Sequence, residues 1–267
     1  MPGLLRLVDA SGGPAGAARR GWWFGFGHHL LGLYWITEAI MIEAARYWWF
    51  VPIAVPALSA LLAAFIAASV ALSRLARPGL PRLLVLAGAW TLADLAREFV
   101  LSGFPWNPWG SVWAVPGAVG DVFIQPAAWI GEPGLTFLTV LLAGLPSLTA
   151  DPIERARRGR VWLAWLSGGA VLAGWIAFGL IRLALPLPPA SGLTVLLVQG
   201  NIAQGQKWSR AMQMDIFRHY LALTSEAVQS AGPGPKVVVW PETASPFLLE
   251  FDEGAREAIA AAAAGAP

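Results

Sequence analysis

The chain has 267 residues, of which 57% are hydrophobic and only 13% are charged, and its mean hydropathy is +0.59. Soluble domains average about 25% charged residues, so this composition indicates a membrane protein and excludes an ordinary soluble domain. The net charge of +2 is too small to indicate a nucleic-acid partner, and the lack of cysteine excludes disulfides, thiolate metal sites and cysteine nucleophiles within these residues.

Five apolar stretches are long enough to cross the roughly 30 Å hydrocarbon core, which takes about 20 helical residues. They predict a membrane bundle within residues 21–185, with about five transmembrane helices at 21–42, 48–73, 81–101, 122–148 and 161–182. Residues 1–20 contain no apolar core, so we predict a cytoplasmic N-terminal segment rather than a secretory signal.

Arginines alternate between the segments that connect the predicted spans. Three segments are rich in them, with Arg6, Arg19 and Arg20, then Arg74, Arg77 and Arg82, then Arg155, Arg157, Arg158 and Arg160. The two segments between these contain Arg46 and at most Arg97. Because cytoplasmic loops are enriched in Lys and Arg, the N-terminus is predicted to be cytoplasmic and the residues after the fifth span to lie outside.

The pattern changes after a Pro-rich linker at residues 186–192. LTVLLVQGNI (193–202) predicts a buried strand, residues 209–230 an amphipathic helix, and KVVVW (236–240) a second strand. An Ala-rich helix is predicted to follow from Gly254. Strand, helix and strand form one βαβ unit, so residues 193–267 are interpreted as the start of an α/β domain. Two strands alone would leave one sheet face and both edges uncovered.

Glu242 follows the second predicted strand, within VVVWPETASP (237–246). Open α/β sheets bind their ligands at the carboxyl ends of the strands, and Pro241 ends the strand just before the carboxylate. A carboxylate partly shielded by Trp240 could serve as a general base. The alternative interpretation is an ordinary exposed loop residue.

Five motifs share one resemblance. GWWFGFGHHLLGLYWI (21–36), SGFPWNPWG (102–110) and GEPGLTFL (131–138) lie in the predicted bundle, and VQGNIAQGQKW (198–208) and VVVWPETASP lie in the predicted α/β domain. The first three resemble the membrane region of the bacterial apolipoprotein N-acyltransferases. The last two resemble the opening of that family's nitrilase-like domain, which belongs to the carbon-nitrogen hydrolase superfamily. The resemblance extends from about residue 20 to residue 250. The resemblance implies a polytopic α-helical membrane bundle followed by the first βαβ part of a nitrilase-like α/β domain of the αββα-sandwich type.

The resemblance also implies an activity, in the bacterial inner membrane with the catalytic domain on the periplasmic face. Such enzymes move an acyl chain from a phospholipid to a cysteine as a thioester, and then to the N-terminal diacylglyceryl-cysteine of a lipoprotein. It makes Glu242 the general base of a Glu-Lys-Cys triad and places Trp208 near the substrate entrance. Phe104, Pro105 and Trp106 become part of the periplasmic rim of the substrate site. We expect a monomer whose partners are the bilayer, the phospholipid donor and the diacylated apolipoprotein, without cofactor, metal or nucleic acid.

This sequence departs from the family pattern in its triad. Lys207 and Lys236, the two lysines, both precede Glu242, and there is no cysteine. The chain is therefore expected to be a fragment, truncated at both ends and inactive in acyl transfer as it stands. Two alternatives remain: a membrane-tethered amidohydrolase of the nitrilase type, and a non-catalytic polytopic membrane protein.

Polar residues inside the predicted spans have structural and functional interpretations. Adjacent histidines lie on different helix faces, so His28 and His29 favour packing or a polar contact within the bundle over a metal site. Asp94 can pair with Arg97 at i,i+3, which would reduce the cost of burying both, or share a face with Glu98. For these residues, a functional role and a purely structural pairing are equally favoured interpretations. The aromatic residues at 104–109 could also form an interfacial belt.

Overall fold

In a computed structural model, the described residues are 1–100, 103–149, 158–186, 189, 192–207, 209–242 and 244–264. They form two compact units, Met1–Pro186 and Leu187–Pro267. The division falls at the predicted linker, where the Pro-rich stretch begins. The first unit is helical, and the second carries a small parallel sheet with helices.

The helices of the first unit are α1 (Pro2–Asp9), α2 (Pro14–Gly32), α3 (Ile36–Met41), α4 (Ala44–Tyr47), α5 (Val51–Ser73), α6 (Leu80–Arg97), α7 (Ala118–Ile124), α8 (Ala127–Gly144) and α9 (Arg158–Ala184). Short 3₁₀ segments occur at Trp48–Phe50, Trp109–Trp113 and Leu145–Thr149. Within α8 the backbone is not helical at Gly131, which has φ 66°, and Pro133 follows it, so this helix is kinked near its start.

Within the part of the chain that the structure describes, three helical segments are long and apolar enough to cross a membrane: Ala44–Ser73, Ala127–Thr149 and Val161–Ala184. They coincide with the predicted second, fourth and fifth spans. The predicted third span corresponds to α6, which is not one of these three segments. α6 contains Arg82, Asp94 and Arg97 within 18 residues and is therefore more highly charged than they are.

The first predicted span, 21–42, is wrong as a single helix. α2 begins earlier, at Pro14, and ends at Gly32, and α3 starts only at Ile36. The intervening residues form a turn in which the Ile36 N–H bonds to the Leu33 carbonyl. The helix that replaces this span, α2, contains Arg19 and Arg20 as well as His28 and His29, and it is not among the segments that are long and apolar enough to cross a membrane.

The N-terminal segment is folded into the bundle. Leu4, Leu5 and Val8 of α1 are buried in one core that also contains residues of α5, α6 and α8. Asp9, at the end of α1, forms an ion pair with Arg82 of α6. The sequence prediction of a tail without an apolar core overlooked this helix because only three of its side chains carry the apolar face.

α2 and α5 pack with their backbones close together. Gly21 and Gly25 are buried and lie four residues apart, so they form one stripe facing α5. A Cβ atom at Gly21 would come within 2.7 Å of Val70, and one at Gly25 within 2.9 Å of Ile66. The two backbones can therefore approach only because these side chains are missing, as in other small-residue helix interfaces of membranes.

The second unit contains β1 (Thr194–Leu197), α10 (Gln204–Lys207), α11 (Gln213–Ser230), β2 (Lys236–Val239) and α12 (Glu253–Ala263). The strands are parallel, in register from Thr194 with Lys236 to Leu197 with Val239. The predicted strand–helix–strand order is thus present. A nitrilase-like sandwich is not established by these two strands.

The predicted buried character of the first strand is wrong for most of its length. The side chains of Val195 and Leu197 are 54% and 77% exposed, and Val237 and Val239 beside them are also exposed. Only the other face is covered, where Val198 is buried with Ile216 and Tyr220 of α11. One face of the sheet is therefore apolar and uncovered within the described residues.

Replacement of Gly25 by Leu is expected to destabilise the first unit by about 1–3 kcal/mol, because the added side chain would overlap Ile66 and the Ala63 backbone. Gly27 on the same helix is the matched control, since a Cβ there meets nothing within 4 Å. Thermal unfolding followed by circular dichroism in detergent measures both variants. Equal melting temperatures for Gly25→Leu and Gly27→Leu would contradict the proposed close packing.

Candidate functional site

The loop Gly103–Gly110, here called the rim loop, has an unusual backbone. Trp106 and Asn107 have φ values of 43° and 55°, in the left-handed region that residues with a side chain rarely adopt, and Gly103 has φ 67°. Each such non-glycine conformation costs on the order of 1–3 kcal/mol and persists only where surrounding contacts fix it. The neighbouring helices supply those contacts.

A buried ion pair in α6 forms the first support of the rim loop. Arg97 Nη2 lies 2.6 Å from Asp94 Oδ1, and the two side chains are 2% and 1% exposed. Arg97 Nε also donates to the Pro105 carbonyl at 3.2 Å, and the backbone N–H of Trp109 donates to Asp94 Oδ2 at 3.2 Å. The pair predicted from the i,i+3 spacing is confirmed, and both members bind loop backbone.

A second support comes from α8. The Gly110 N–H donates to Glu132 Oε1 at 2.8 Å and lies 2.7 Å from Thr136 Oγ1. The Thr136 hydroxyl is within bonding distance of both acidic groups, 2.5 Å from Glu132 Oε1 and 3.3 Å from Asp94 Oδ2. Glu132 and Thr136 therefore connect the end of the rim loop to the ion pair of α6 through one continuous network.

The third support is α2. His28 Nε2 lies 3.4 Å from the Asn107 carbonyl and 3.3 Å from the Asn107 side-chain nitrogen, with donor and acceptor roles set by the tautomer. The His28 ring also contacts Trp109, with 5.8 Å between centroids. This confirms a polar contact within the bundle for His28. His29 points elsewhere: it is fully buried, on the same α2 stripe as Gly21 and Gly25.

The predicted rim residues differ in their exposure and in their contacts. Phe104 is 47% exposed, and its ring contacts Trp106 edge to face with 4.7 Å between centroids. Trp106 is half-buried and packs against the cluster formed by Leu33, Val55 and Leu62. Pro105 is half-buried and supplies the carbonyl that Arg97 binds. The rim loop thus presents the exposed Phe104 ring in contact with the Trp106 ring, which is packed against the bundle.

In the second unit, Glu242 lies on a turn directly after β2 and is exposed. Because β1 and β2 are parallel, their carboxyl ends are at the same edge of the sheet, so the turn carrying Glu242 and the loop after β1 share that edge. Asn201 in the latter loop has φ 51°. Trp208 lies outside the described residues.

Trp240 packs against α11. Its Nε1 donates to Thr224 Oγ1 of α11 at 2.8 Å, and its ring contacts Tyr220 with 5.3 Å between centroids. Glu242 is exposed, and the partial shielding of its carboxylate by Trp240 stays a prediction. The strand-end tryptophan fixes β2 onto α11, and with it the position where the turn begins.

Sequence reasoning missed Glu132, Thr136 and Asn107 as contacts of the rim loop. Glu132 is an acidic residue inside a predicted apolar span, which by itself indicates a function or a buried partner. It also lies within GEPGLTFL, one of the motifs already noted. No sequence signal gives its partner, because Gly110 lies 22 residues away and offers only a backbone N–H.

The chain is similar to apolipoprotein N-acyltransferases. Residues 1–145 match the family model described as the apolipoprotein N-acyltransferase N-terminal domain. Relatives named apolipoprotein N-acyltransferase include proteins of Brucella suis (39% identity over 261 residues), Allorhizobium ampelinum (36% over 244) and Rhodopseudomonas palustris (35% over 270). These alignments cover 94%, 91% and 97% of this chain but 48%, 44% and 49% of the relatives. The chain spans about half the length of the relatives it matches.

Replacement of Asp94 by Asn is expected to destabilise the first unit by about 3–5 kcal/mol, since it leaves the buried guanidinium of Arg97 without its counter-charge. Chemical denaturation of the detergent-solubilised chain, followed by tryptophan fluorescence, measures the effect.

Asp215→Asn is the matched control, because Asp215 and Arg218 form an i,i+3 pair with the same residue types but with side chains 72% and 69% exposed. An exposed pair contributes about 0.2–1 kcal/mol. A loss for Asp94→Asn as small as that of Asp215→Asn would contradict the central role of the buried pair.

Proposed function

Because this chain belongs to the apolipoprotein N-acyltransferase family, we propose that it supplies the membrane unit and the base-bearing part of an enzyme that N-acylates lipoproteins. The donor is a membrane phospholipid, and the acceptor is the α-amino group of an N-terminal diacylglyceryl-cysteine. The observation that carries this proposal is Glu242, an exposed carboxylate on a turn at the carboxyl end of a parallel strand. Ligands of open α/β sheets bind at that edge.

The chemistry requires a base, a thiol and a cation. The Glu242 carboxylate takes the proton of a cysteine thiol, because the thiolate is the nucleophile. The sulfur attacks the phospholipid ester carbonyl, the lysophospholipid alkoxide leaves with a proton, and a thioester remains. A lysine stabilises the oxyanion of the tetrahedral intermediate. The lipoprotein amine then attacks the thioester, forming an amide and releasing the thiol. The proposed chemistry therefore requires a thiol that this sequence does not contain and a lysine other than Lys207 and Lys236.

The rim loop suits the substrate side of this reaction. A two-chain lipid reaches the site from the bilayer, so the entrance needs an apolar surface at the membrane interface that does not collapse when the substrate leaves. Phe104 offers that surface, and the network of Asp94, Arg97 and Glu132 keeps the loop backbone fixed. A preorganised entrance reduces the ordering cost of binding. We assign Phe104, Pro105 and Trp106, together with Trp208, to substrate binding.

Glu242→Gln is expected to abolish acyl transfer, because an amide cannot accept the thiol proton. The chain is joined in frame to the remaining half of the Brucella suis relative and expressed in bacteria depleted of their own N-acyltransferase. Mass spectrometry of a lipoprotein N-terminus then measures conversion from the diacylated to the triacylated form. The loss expected is at least the 10²-fold typical of a general base.

Glu250→Gln is the matched control, since Glu250 is an exposed glutamate a few residues further along the same segment. It should retain the activity of the unaltered hybrid. Normal triacylation with Glu242→Gln would refute the assigned role. Phospholipid deacylation without transfer to lipoprotein would favour the hydrolase alternative. The chain without the added half is expected to give no triacylated product, as it contains no cysteine.

The proposed topology, an inner-membrane bundle with a cytoplasmic N-terminus and a periplasmic second unit, can be tested with single cysteines because the chain has none. Ser111→Cys and Ser230→Cys are both at exposed positions and are expected to react with a membrane-impermeant maleimide in intact spheroplasts. Gly12→Cys, also exposed, should react only after lysis. Labelling of Gly12→Cys in intact cells, or protection of Ser230→Cys, would reverse the orientation.

A further inference from the structure

A groove of about 740 Å³ lies in the first unit between α6, α9 and the end of α8. Its walls are almost entirely aliphatic and include Leu80, Leu84, Leu141, Leu145, Leu163 and Val171. The volume is in the range of pockets that hold a single small ligand, roughly 300–1,000 Å³. This groove is therefore large enough to be a site in its own right.

The groove is far from the rim loop. It borders the first turns of α6, at Leu80 and Pro81, whereas Asp94 and Arg97 support the rim loop from the last turn. At 1.5 Å per residue, Pro81 and Arg97 are about 24 Å apart along the helix axis. A ligand in the groove therefore occupies a position different from the substrate entrance proposed above.

α9 forms one wall of the groove. It meets the rest of the unit where Gly168 lies against Leu145 and where Trp175 Nε1 donates to the Phe123 carbonyl at 2.8 Å. A flexible hydrocarbon chain is narrower than a helix, which is about 10 Å across, and it can follow the aliphatic walls of the groove.

Among the residues that the structure describes, Arg77 is the charged residue that lines the groove. Neighbouring arginines are engaged within the protein: Arg82 pairs with Asp9, and Arg74 Nη2 donates to the Ser11 carbonyl at 3.4 Å. Arg77 lines the groove, is exposed, and makes no hydrogen bond or ion pair to any other described residue. An apolar groove with an available guanidinium at its end is complementary to an acyl chain attached to an anion.

We propose that this groove binds a phospholipid as a retained structural ligand, with one acyl chain along α6 and α9 and the anionic headgroup at Arg77. The lipid stabilises the contact of α9 with the bundle. It is not the acyl donor, because the described lining holds no carboxylate, histidine or lysine that could act as a base, and the substrate entrance is at the other end of α6. The inference concerns binding alone and does not depend on the proposed acyl transfer.

Native mass spectrometry of the full chain, released from nanodiscs of equal phosphatidylglycerol and phosphatidylcholine, tests the headgroup contact. The unaltered chain should retain phosphatidylglycerol preferentially. Arg77→Gln is expected to reduce retained phosphatidylglycerol about fivefold, the effect of one arginine near an anionic lipid surface. Arg6→Gln is the control, because Arg6 is an exposed arginine on α1 that does not line the groove.

A second pair of variants tests the acyl-chain contact. Ser167 lines the groove, whereas Leu166 beside it on α9 is 68% exposed and does not. Ser167→Phe should fill the groove and remove most of the retained lipid, and Leu166→Phe should leave it unchanged. Circular-dichroism melting in detergent verifies that each variant is folded. Equal retention by Arg77→Gln and Arg6→Gln, or by Ser167→Phe and Leu166→Phe, would overturn the proposal, as would retention without headgroup preference.

Discussion

The buried ion pair of Asp94 and Arg97 is the interaction on which the membrane unit most depends. Two charges in an apolar bundle are tolerated only when each neutralises the other and their remaining polar atoms find partners. Here Arg97 Nε and Asp94 Oδ2 bind backbone groups of the rim loop, at Pro105 and Trp109, whereas Arg97 Nη1 is buried without a hydrogen-bond partner among the described residues. The hydrogen bonds between the pair and the loop therefore offset part of the cost of burying the charges and part of the cost of the left-handed loop conformation.

The same constraint explains why three helices contact the rim loop. Backbone N–H and carbonyl groups that are buried against other helices need partners within the protein. His28 of α2, the ion pair of α6 and Glu132 of α8 each contact a different part of it. Relative movement of any of these helices would break loop hydrogen bonds. The aromatic rim is thus coupled to bundle packing, including the close α2–α5 contact at Gly21 and Gly25.

In the second unit, the two faces of the sheet differ in burial. α11 covers one face of a two-stranded sheet, and its aromatic residues fix Trp240 at the end of β2. The opposite face remains apolar and exposed at Val195, Leu197, Val237 and Val239. Glu242 follows the fixed end of the strand. Its position on the unit is set by strand and tryptophan packing, while its own side chain is exposed.

Sequence alone determined the apolar helices of α5, α8 and α9, the linker, the parallel strands and the pairing of Asp94 with Arg97, because these depend on local composition and periodicity. It also identified the motifs that carry the family resemblance. Tertiary structure decided the break between α2 and α3, the burial of α1 and the exposed face of β1. It alone brought Gly110 to Glu132 and Asn107 to His28, which lie 22 and 79 residues apart. Hydrogen bonds over such separations arise from helix packing, which no local pattern in the chain encodes.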